Sequence, residues 1–457
     1  MQYEVVIIGA GIGGLTAAAV LAKRGMNVCL LERQSYAGGC AASVVHGRQQ
    51  FEPTHGLYCG WEPGGVYDRL FTELEEIAPC AQVRAPAYVV RLPGELDIPR
   101  TTNVPEFEAN LRVAFPECAD AAIEFYRNLT HAGKLDLAPL SLRFRRFIDV
   151  QLQTFLQCAS DECNYESAAA TLDPRRKFWG IEGGAQSLID KLVDSFKRSG
   201  GKLRLDSPVL RLAYGADPSP IGVDLLSGER VTATRAIISN LTLWDTFGKL
   251  VGPARTPREI ASQLKMLRGW GVYQMFLVLN EPAISRLPAE GILILTAVRP
   301  EGTYDPEDVQ LVLSLAPAGP QNNARENDAR RNAVLSVYTR AQDWFSFHED
   351  HTAHEERDQS MLEQVWSRLH EAMPEFGDAI ELIETATPQT YYEATRRRFG
   401  MIGRASGDVM SGSGGSITRS IASPFPNLWL VGDTVADGIG IEGVVESAWR
   451  TAQQIIG

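Results

Sequence analysis

At 457 residues, with 44% hydrophobic and 22% charged side chains and no long biased tract, the chain is too long for a single compact core. It reads as two intimately joined globular domains able to bury a large cofactor. Its formal net charge of −12 lacks the basic field that draws a protein onto phosphate backbones, so no nucleic acid is expected as a partner.

The first apolar run, Val5 to Ile8, is too short to span a bilayer and has no basic lead-in. A cytoplasmic protein is expected, at most peripheral to a membrane. The seven cysteines all precede residue 164 and contain no CxxC pair, which argues against a disulfide framework or a zinc site. Cys29, Cys118, Cys158 and Cys163 read as small buried thiols in a reducing compartment.

In chain order, residues 3 to 8 form a β-branched run that stops at Gly9. The Ala-rich stretch from Gly13 to Lys23 predicts a helix, and Asn27 to Leu31 predicts a second strand ending at Glu32. Strand, glycine loop, helix, strand is the opening of a doubly wound parallel sheet, since parallel neighbours need a crossover helix. Leu188, Ile189, Leu192, Val193 and Phe196 recur with helical spacing before the stop at Gly200-Gly201. Short strands are then predicted at Lys202 to Leu205, Val209 to Leu212, Gly222 to Leu226 and Ala236 to Ser239, as a return to the first domain. Tyr273 to Leu279, Ile292 to Val298 and Val309 to Leu315 suggest a separate sheet. Gly319 to Arg331 reads as an exposed loop, and Met361, Leu362, Val365, Trp366 and Leu369 as a helix face.

The segment Gly9-Ala10-Gly11-Ile12-Gly13-Gly14 fits GxGxxG directly after a strand and at the start of a helix. Gly9 permits the tight turn, Gly11 lets backbone approach a pyrophosphate, and Gly14 lets helix pack on sheet. The helix N-terminus then offers unpaired N–H donors to the phosphates. Glu32 follows 18 residues after Gly14, where a carboxylate can accept from both ribose hydroxyls of an adenosine.

Two further patterns select FAD over NAD. The first is Glu32, Arg33, Gly38, Gly39 and Ser43 with Cys40 beside them, and the second is the late Gly432-Asp433. Together they resemble the flavin superfamily that holds amine oxidases and carotenoid desaturases. The resemblance implies that Asp433 holds the ribityl chain and that the glycines after it open a helix aimed at the isoalloxazine. The residues also support this directly, because Gly438, Gly440 and Gly443 precede the amphipathic run from Val444 to Ile455. N–H groups at that helix start, around Gly440, Ile441 and Val444, would stabilise charge on a reduced ring.

Residues 179 to 188 (WGIEGGAQSL), Ala236 to Asn240 with Trp244, and Glu62 to Gly65 with Leu92 to Glu95 narrow the resemblance. They are similar to the phytoene desaturase, carotenoid isomerase and retinol saturase branch. That resemblance implies a small hydrophobic polyene or isoprenoid substrate, desaturated or isomerised by hydride transfer to flavin N5. Oxygen or a quinone would then accept the electrons, since no second nucleotide motif appears. It also implies an α/β fold, a Rossmann-type FAD-binding domain of the glutathione reductase or amine oxidase kind with an interleaved α+β substrate domain. The expected division assigns 1–82, 176–248 and 401–457 to the FAD domain, 83–175 to a helical part of the substrate domain, and 249–400 to its sheet.

The departures from the pattern mark the candidate catalytic groups. Phe51-Glu52-Pro53-Thr54 stands where Phe-Asp-x-Gly is usual, Cys40 where a basic or small residue is usual, and Glu442 where proline or alanine is usual. Glu442 is a candidate acid or base, or a partner for a cationic amine, which keeps amine oxidation as the alternative activity; it also suits a helix start. His55 and Tyr58 are candidates for the substrate face. Arg396, Arg397 and Arg398 read as a solvated run. His348, His351 and His354 have steps of three that carry the third ring around a helix, so no metal site is expected. Leu140 to Leu156 mixes arginines with large apolar residues and fits either a membrane-surface helix or a buried one.

Overall fold

The computed structural model describes residues 1–129, 135, 137, 139–163, 165–216, 219–266, 268–299, 304–316, 330–345, 351–406, 423, 425–436 and 440–457. The local patterns in the N-terminal third become a parallel core: Gln2–Ile8 pairs in parallel with Val28–Leu31 on one side and Arg230–Ser239 on the other. Lys202–Arg204 extends the sheet beyond Val28–Leu31, and Leu428–Leu430 joins it in parallel beside Arg230–Ser239. The antiparallel strands Val209–Tyr214 and Pro220–Leu225 complete seven strands.

The central strands are buried on both faces, which is why Val5 to Ile8 and Val28 to Leu31 are unbroken apolar runs without alternation. Helix Ile12–Lys23 is buried along Ile12 to Ala22, under helices Gly184–Arg198 and Gly440–Ile456. Its small side chains are what allow that depth. A Cβ on Gly14 would stand 2.0 Å from the Gly9 carbonyl oxygen, so only glycine lets the helix start this close to the strand end.

A second sheet of eight strands runs in the order Ile380–Ala386, Arg268–Leu279, Arg331–Arg340, Gln310–Leu315, Gly291–Leu295, Val89–Leu92, Leu96–Pro99, with Ile402–Ser406 also on Arg268–Leu279. Helix His351–Ala372 covers one face through Met361, Val365 and Leu369 against Tyr273, Leu277 and Trp344. The block expected to be helical, residues 83–175, therefore opens with the strands Val89–Leu92 and Leu96–Pro99. All four residues of Val89–Leu92 are buried, so no period-two signal marks that strand.

Helix Leu142–Leu156 settles between its two readings. Phe144, Phe147, Ile148, Leu152 and Phe155 pack into the protein's own aromatic core, and even Asp149, Gln151, Gln153 and Thr154 on its other sides are buried. It is a core helix. No helix among the described residues is long and apolar enough to cross a membrane.

The reading of Cys158 and Cys163 as free thiols is corrected: the two form a disulfide across Cα atoms 5.8 Å apart. The chain leaves the helix at Gln157 with φ 55° and folds back, a tertiary event that residue spacing does not announce. One ground for a reducing compartment falls with it. Residues 317–329, which hold most of the expected loop, and His348 lie outside the described residues.

Gly14→Ala is expected to lower stability by about 3 kcal/mol, the upper end of ordinary overpacking. Gly25→Ala, at φ +83° with nothing near its added Cβ, should cost about 1 kcal/mol. Urea midpoints of the two variants check the ranking.

Candidate active site

The glycine loop and the Gly432 turn meet at one side chain. Asn240, at the end of strand Arg230–Ser239, donates Nδ2 to the Gly9 carbonyl at 3.2 Å. Its Oδ1 lies 2.6 Å from where a Gly13 Cβ would be and 2.9 Å from where a Gly432 Cβ would be. The Gly432 nitrogen and Val444 Cγ1 each lie 3.2 Å from the same Gly13 position, so residues from the two ends of the chain are in direct contact. On the other side the Gly38 N–H donates to the Ala10 carbonyl at 2.8 Å. Asn240 escaped the residue-level reading because only its segment matched a pattern.

Glu32 is buried, and its two oxygens are already oriented: Oε2 accepts from Ala10 N–H at 2.8 Å and Oε1 from Gln34 N–H at 2.9 Å. The carboxylate stays on the wall of a cavity of about 700 Å³. Gly9, Gly11, Gly13, Arg33, Gly38, Gly39 and Cys40 line that cavity, and so do Gly432, Asp433, Gly440, Ile441, Glu442 and Val444. Gly14 lies behind it, packed on Gly9. The 17-residue helix Gly440–Ile456 presents its N-terminus to the same space.

Arg397 overturns the solvated-run reading. Its guanidinium makes a two-pronged pair with Asp433, at 2.5 and 3.2 Å, and donates from Nε to the Met401 carbonyl at 2.7 Å. A left-handed Arg396, at φ 57°, ends helix Pro388–Thr395 and turns Arg397 inward, while Arg396 itself lies over the Tyr392 ring. Burial raises the Cys40 thiol beside this pair.

Beyond the glycines the wall changes character. Leu57, Phe155, Leu156, Val272, Val312 and Tyr338 surround neutral polar groups, Gln274, Ser336 and Tyr391. Gln274 is fixed by donating to the Pro53 carbonyl at 2.9 Å and to Ser336 at 2.8 Å, and it accepts from Tyr391. This face belongs to the second sheet and helix Leu142–Leu156.

The three candidate catalytic residues all line the cavity, in different states. Burial pushes His55 down to about 4, and its Nδ1 accepts the Leu57 N–H at 3.3 Å, so the neutral ring carries its proton on Nε2. Tyr58 is locked by a backbone bridge to Trp179 and its hydroxyl meets Thr54 Oγ1 at 3.0 Å. Glu442 is held by an ion pair with Arg176; burial raises its carboxyl and Arg176 opposes the rise. Among the described residues no cluster of three metal-capable side chains forms. His351 starts a helix, and His354 reaches Thr387 at 3.3 Å.

Glu52 was legible only as a departure from a pattern. It is 9% exposed, behind the wall of the cavity, and burial pushes it up to about 7 against the pull of Thr54, the Ala185 N–H and Arg84.

The matches to known proteins agree with this geometry. Residues 48–456 match the family model for flavin containing amine oxidoreductases, and residues 7–74 match that of an NAD(P)-binding Rossmann-like domain. The chain belongs to the flavin containing amine oxidoreductase family. It is an FAD-dependent oxidoreductase. Prolycopene isomerase 2 of an Oncidium hybrid cultivar is 24% identical over 99% of this chain and 84% of its own length. Human all-trans-retinol 13,14-reductase is 22% identical over 100% and 86%. Among solved structures, an oxidoreductase from Methanosarcina mazei superposes with a TM-score of 0.71 at 18% identity, covering 99% of this chain and all of its own. Cyclohexylamine oxidase from Brevibacterium oxydans gives 0.62 at 17%, covering 100% and 99%.

The two perturbed groups oppose each other in a pH profile. Between about pH 4 and 6.5 the unfolded chain binds a proton at its histidine that folded His55 refuses, so this group makes stability rise with pH. Between about pH 4.5 and 7 folded Glu52 keeps a proton that the unfolded chain gives up, so this group makes stability fall with pH. Urea midpoints across that range should therefore climb more steeply in Glu52→Gln than in the parent, and less steeply in His55→Phe.

Proposed function

We propose that the enzyme desaturates or isomerises a hydrophobic polyene or isoprenoid of the carotenoid type, drawn into the apolar end of the cavity against flavin N5. The observation that carries this reading is the wall itself. Its substrate end is built from aliphatic and aromatic side chains with neutral polar groups already engaged in hydrogen bonds, which suits a long uncharged hydrocarbon.

The residues suit the cofactor. The start of helix Ile12–Lys23 carries no side chains on Gly11, Gly13 or Gly14, and the first N–H groups of a helix have no partners within it, so it offers donors to a pyrophosphate. On this reading Glu32 accepts the adenosine ribose hydroxyls with the lone pairs its two backbone donors leave free. Arg33, Gly38, Gly39 and Cys40 flank the phosphates. Gly432 and Asp433 receive the ribityl chain, and Gly440, Ile441 and Val444 face the ring. Bound FAD supplies the two-electron acceptor.

The chain's own groups then orient and exclude. Arg397 aims the Asp433 carboxylate through its two-pronged pair, and the Leu57, Phe155 and Leu156 wall keeps water from the reacting carbons. His55 offers a neutral N–H donor. The protein surface that receives substrate and the acceptor of the electrons, oxygen or a quinone, belong to the same proposal.

Amine oxidation is less well supported, because Glu442, the carboxylate free in sequence to pair with an ammonium, is already neutralised by Arg176. Anaerobic mixing of the flavin-loaded protein with a linear polyene should bleach the flavin band or change the cis/trans composition of the polyene, while an alkylamine should do nothing. Bleaching by the amine alone would overturn the polyene reading. Asp433→Ala should weaken flavin binding about 10- to 100-fold, the size of a lost hydrogen bond to a charged group. Fluorescence titration with FAD measures it.

A further inference from the structure

From the cavity wall inward three side chains form a continuous hydrogen-bonded line, with Tyr58 and Thr54 on the wall and Glu52 behind it. Tyr58, at the wall, meets Thr54 Oγ1 at 3.0 Å, and Thr54 Oγ1 donates to Glu52 Oε1 at 2.7 Å. The Ala185 N–H donates to the same Oε1 at 3.0 Å, fixing the carboxyl at the start of helix Gly184–Arg198. Gly184, at φ +65°, makes room for it: a Cβ there would lie 2.6 Å from Glu52 Oε2. Oε2 is buried and has no hydrogen-bond partner among the described residues. A carboxyl in this position is an expensive group to keep unless it exchanges a proton.

We propose that Glu52, Thr54 and Tyr58 are a proton relay between the substrate cavity and a buried carboxyl. The line has one hydroxyl between its ends, so its polarity can reverse. With Glu52 ionised, Tyr58 donates to Thr54 and Thr54 to Glu52. With Glu52 protonated on Oε1, the same atoms donate the other way, and the Tyr58 hydroxyl points its proton into the cavity.

The reaction balances on that reversal; the identity of its substrate rests on the polyene reading above. In a desaturation one substrate carbon gives up hydrogen with both electrons to the flavin, and the neighbouring carbon must lose a proton. The electrons of that second C–H bond become the new double bond. The proton goes to Tyr58 Oη as the Tyr58 proton moves to Thr54 and the Thr54 proton to Glu52. Substrate is oxidised, the electron pair would be taken up by FAD when it is bound, and Glu52 ends as the neutral acid. It resets by returning its proton along the same line to water that enters the cavity after product leaves. A saturation or an acid-assisted isomerisation runs the line in the opposite sense.

The charged neighbours of Glu52 permit both states. Arg84 faces it and favours the ionised form, but Arg84 is engaged by Glu290, which Arg331 also holds at 2.8 Å. The strand ends across the adjacent crevice, Ser314 to Ala316 and Asn332 to Val334, carry no titratable side chain. Burial raises the carboxyl to about 7, so both protonation states are populated near neutrality. Tyr58 is the group that touches substrate, whereas Thr54 and Glu52 act through it.

Infrared titration of the flavin-loaded protein tests the relay without turnover. A protonated carboxyl band should titrate with a midpoint near 7, vanish in Glu52→Gln and shift in frequency in Thr54→Val and Tyr58→Phe. In rapid mixing with a polyene that reduces the parent's flavin, Glu52→Gln and Thr54→Val should slow reduction about 100-fold and lose its pH dependence, and Thr54→Ser should restore both. Gln keeps an acceptor for the Ala185 N–H, so this variant is expected to fold. Absence of the band in the parent, or a band that neither Thr54→Val nor Tyr58→Phe moves, overturns the relay, as does an unchanged pH profile in Glu52→Gln. If no polyene reduces the parent's flavin, the substrate reading fails instead, and the infrared arm still decides the relay.

Discussion

Everything in this molecule depends on the close approach of backbone turns at the Gly9 to Gly14 loop. That loop meets the Gly432 turn around Asn240, where an added carbon on Gly9, Gly11, Gly13, Gly14 or Gly432 would lie 2.0 to 3.3 Å from a neighbour, and the Gly38-Gly39 turn joins it from the other side through the Gly38 N–H and the Ala10 carbonyl. Backbone brought this near to backbone leaves N–H groups, rather than side chains, facing outward, and that is what a pyrophosphate requires. The same approach ties strand Leu428–Leu430 to Arg230–Ser239 and brings the final helix against the first. The two ends of a 457-residue chain thus become one wall of one cavity.

That wall divides the chemistry. The parallel sheet supplies glycine turns, a fixed carboxylate at Glu32 and the Asp433–Arg397 pair, a polar lining suited to phosphates and sugars. The second sheet supplies Val272, Val312 and Tyr338, and helix Leu142–Leu156 adds Phe155 and Leu156, a lining suited to hydrocarbon. Charged groups near the apolar end are either paired, as Glu442 with Arg176, or held behind the wall, as Glu52. A low-dielectric pocket strengthens every remaining electrostatic interaction in it, so on the proposed reading the neutral His55 donor and the Tyr58 hydroxyl are the groups that would direct the reaction.

What the sequence disclosed follows the range of the forces involved. The glycine loop and Glu32 are local consequences of a strand, a turn and a helix, and their spacing is visible in 30 consecutive residues. The late Gly432-Asp433 was legible because a turn before an amphipathic helix is also local. Arg397 was misread because three consecutive arginines look solvated, and only the left-handed turn at Arg396 directs the middle one inward. The Cys158–Cys163 bond depends on a fold-back after a helix, and the strand Val89–Leu92 is buried along its whole length, so neither leaves a periodic trace. Glu52, Thr54 and Tyr58 lie within seven residues, yet their line becomes visible only when helix Gly184–Arg198 brings the Ala185 N–H to the carboxyl.

The most direct test of the account is a crystal structure of the protein with FAD bound. It should place the adenosine ribose within hydrogen-bond reach of Glu32, the ribityl chain at Asp433 and the isoalloxazine at the N-terminus of Gly440–Ile456, with the ring's open face toward Leu57, Phe155 and Val272. A flavin bound elsewhere, or one that touches the Gly9 to Gly14 loop while Asp433 and the last helix stand apart from it, would contradict the claim that both ends of the chain clasp one cofactor.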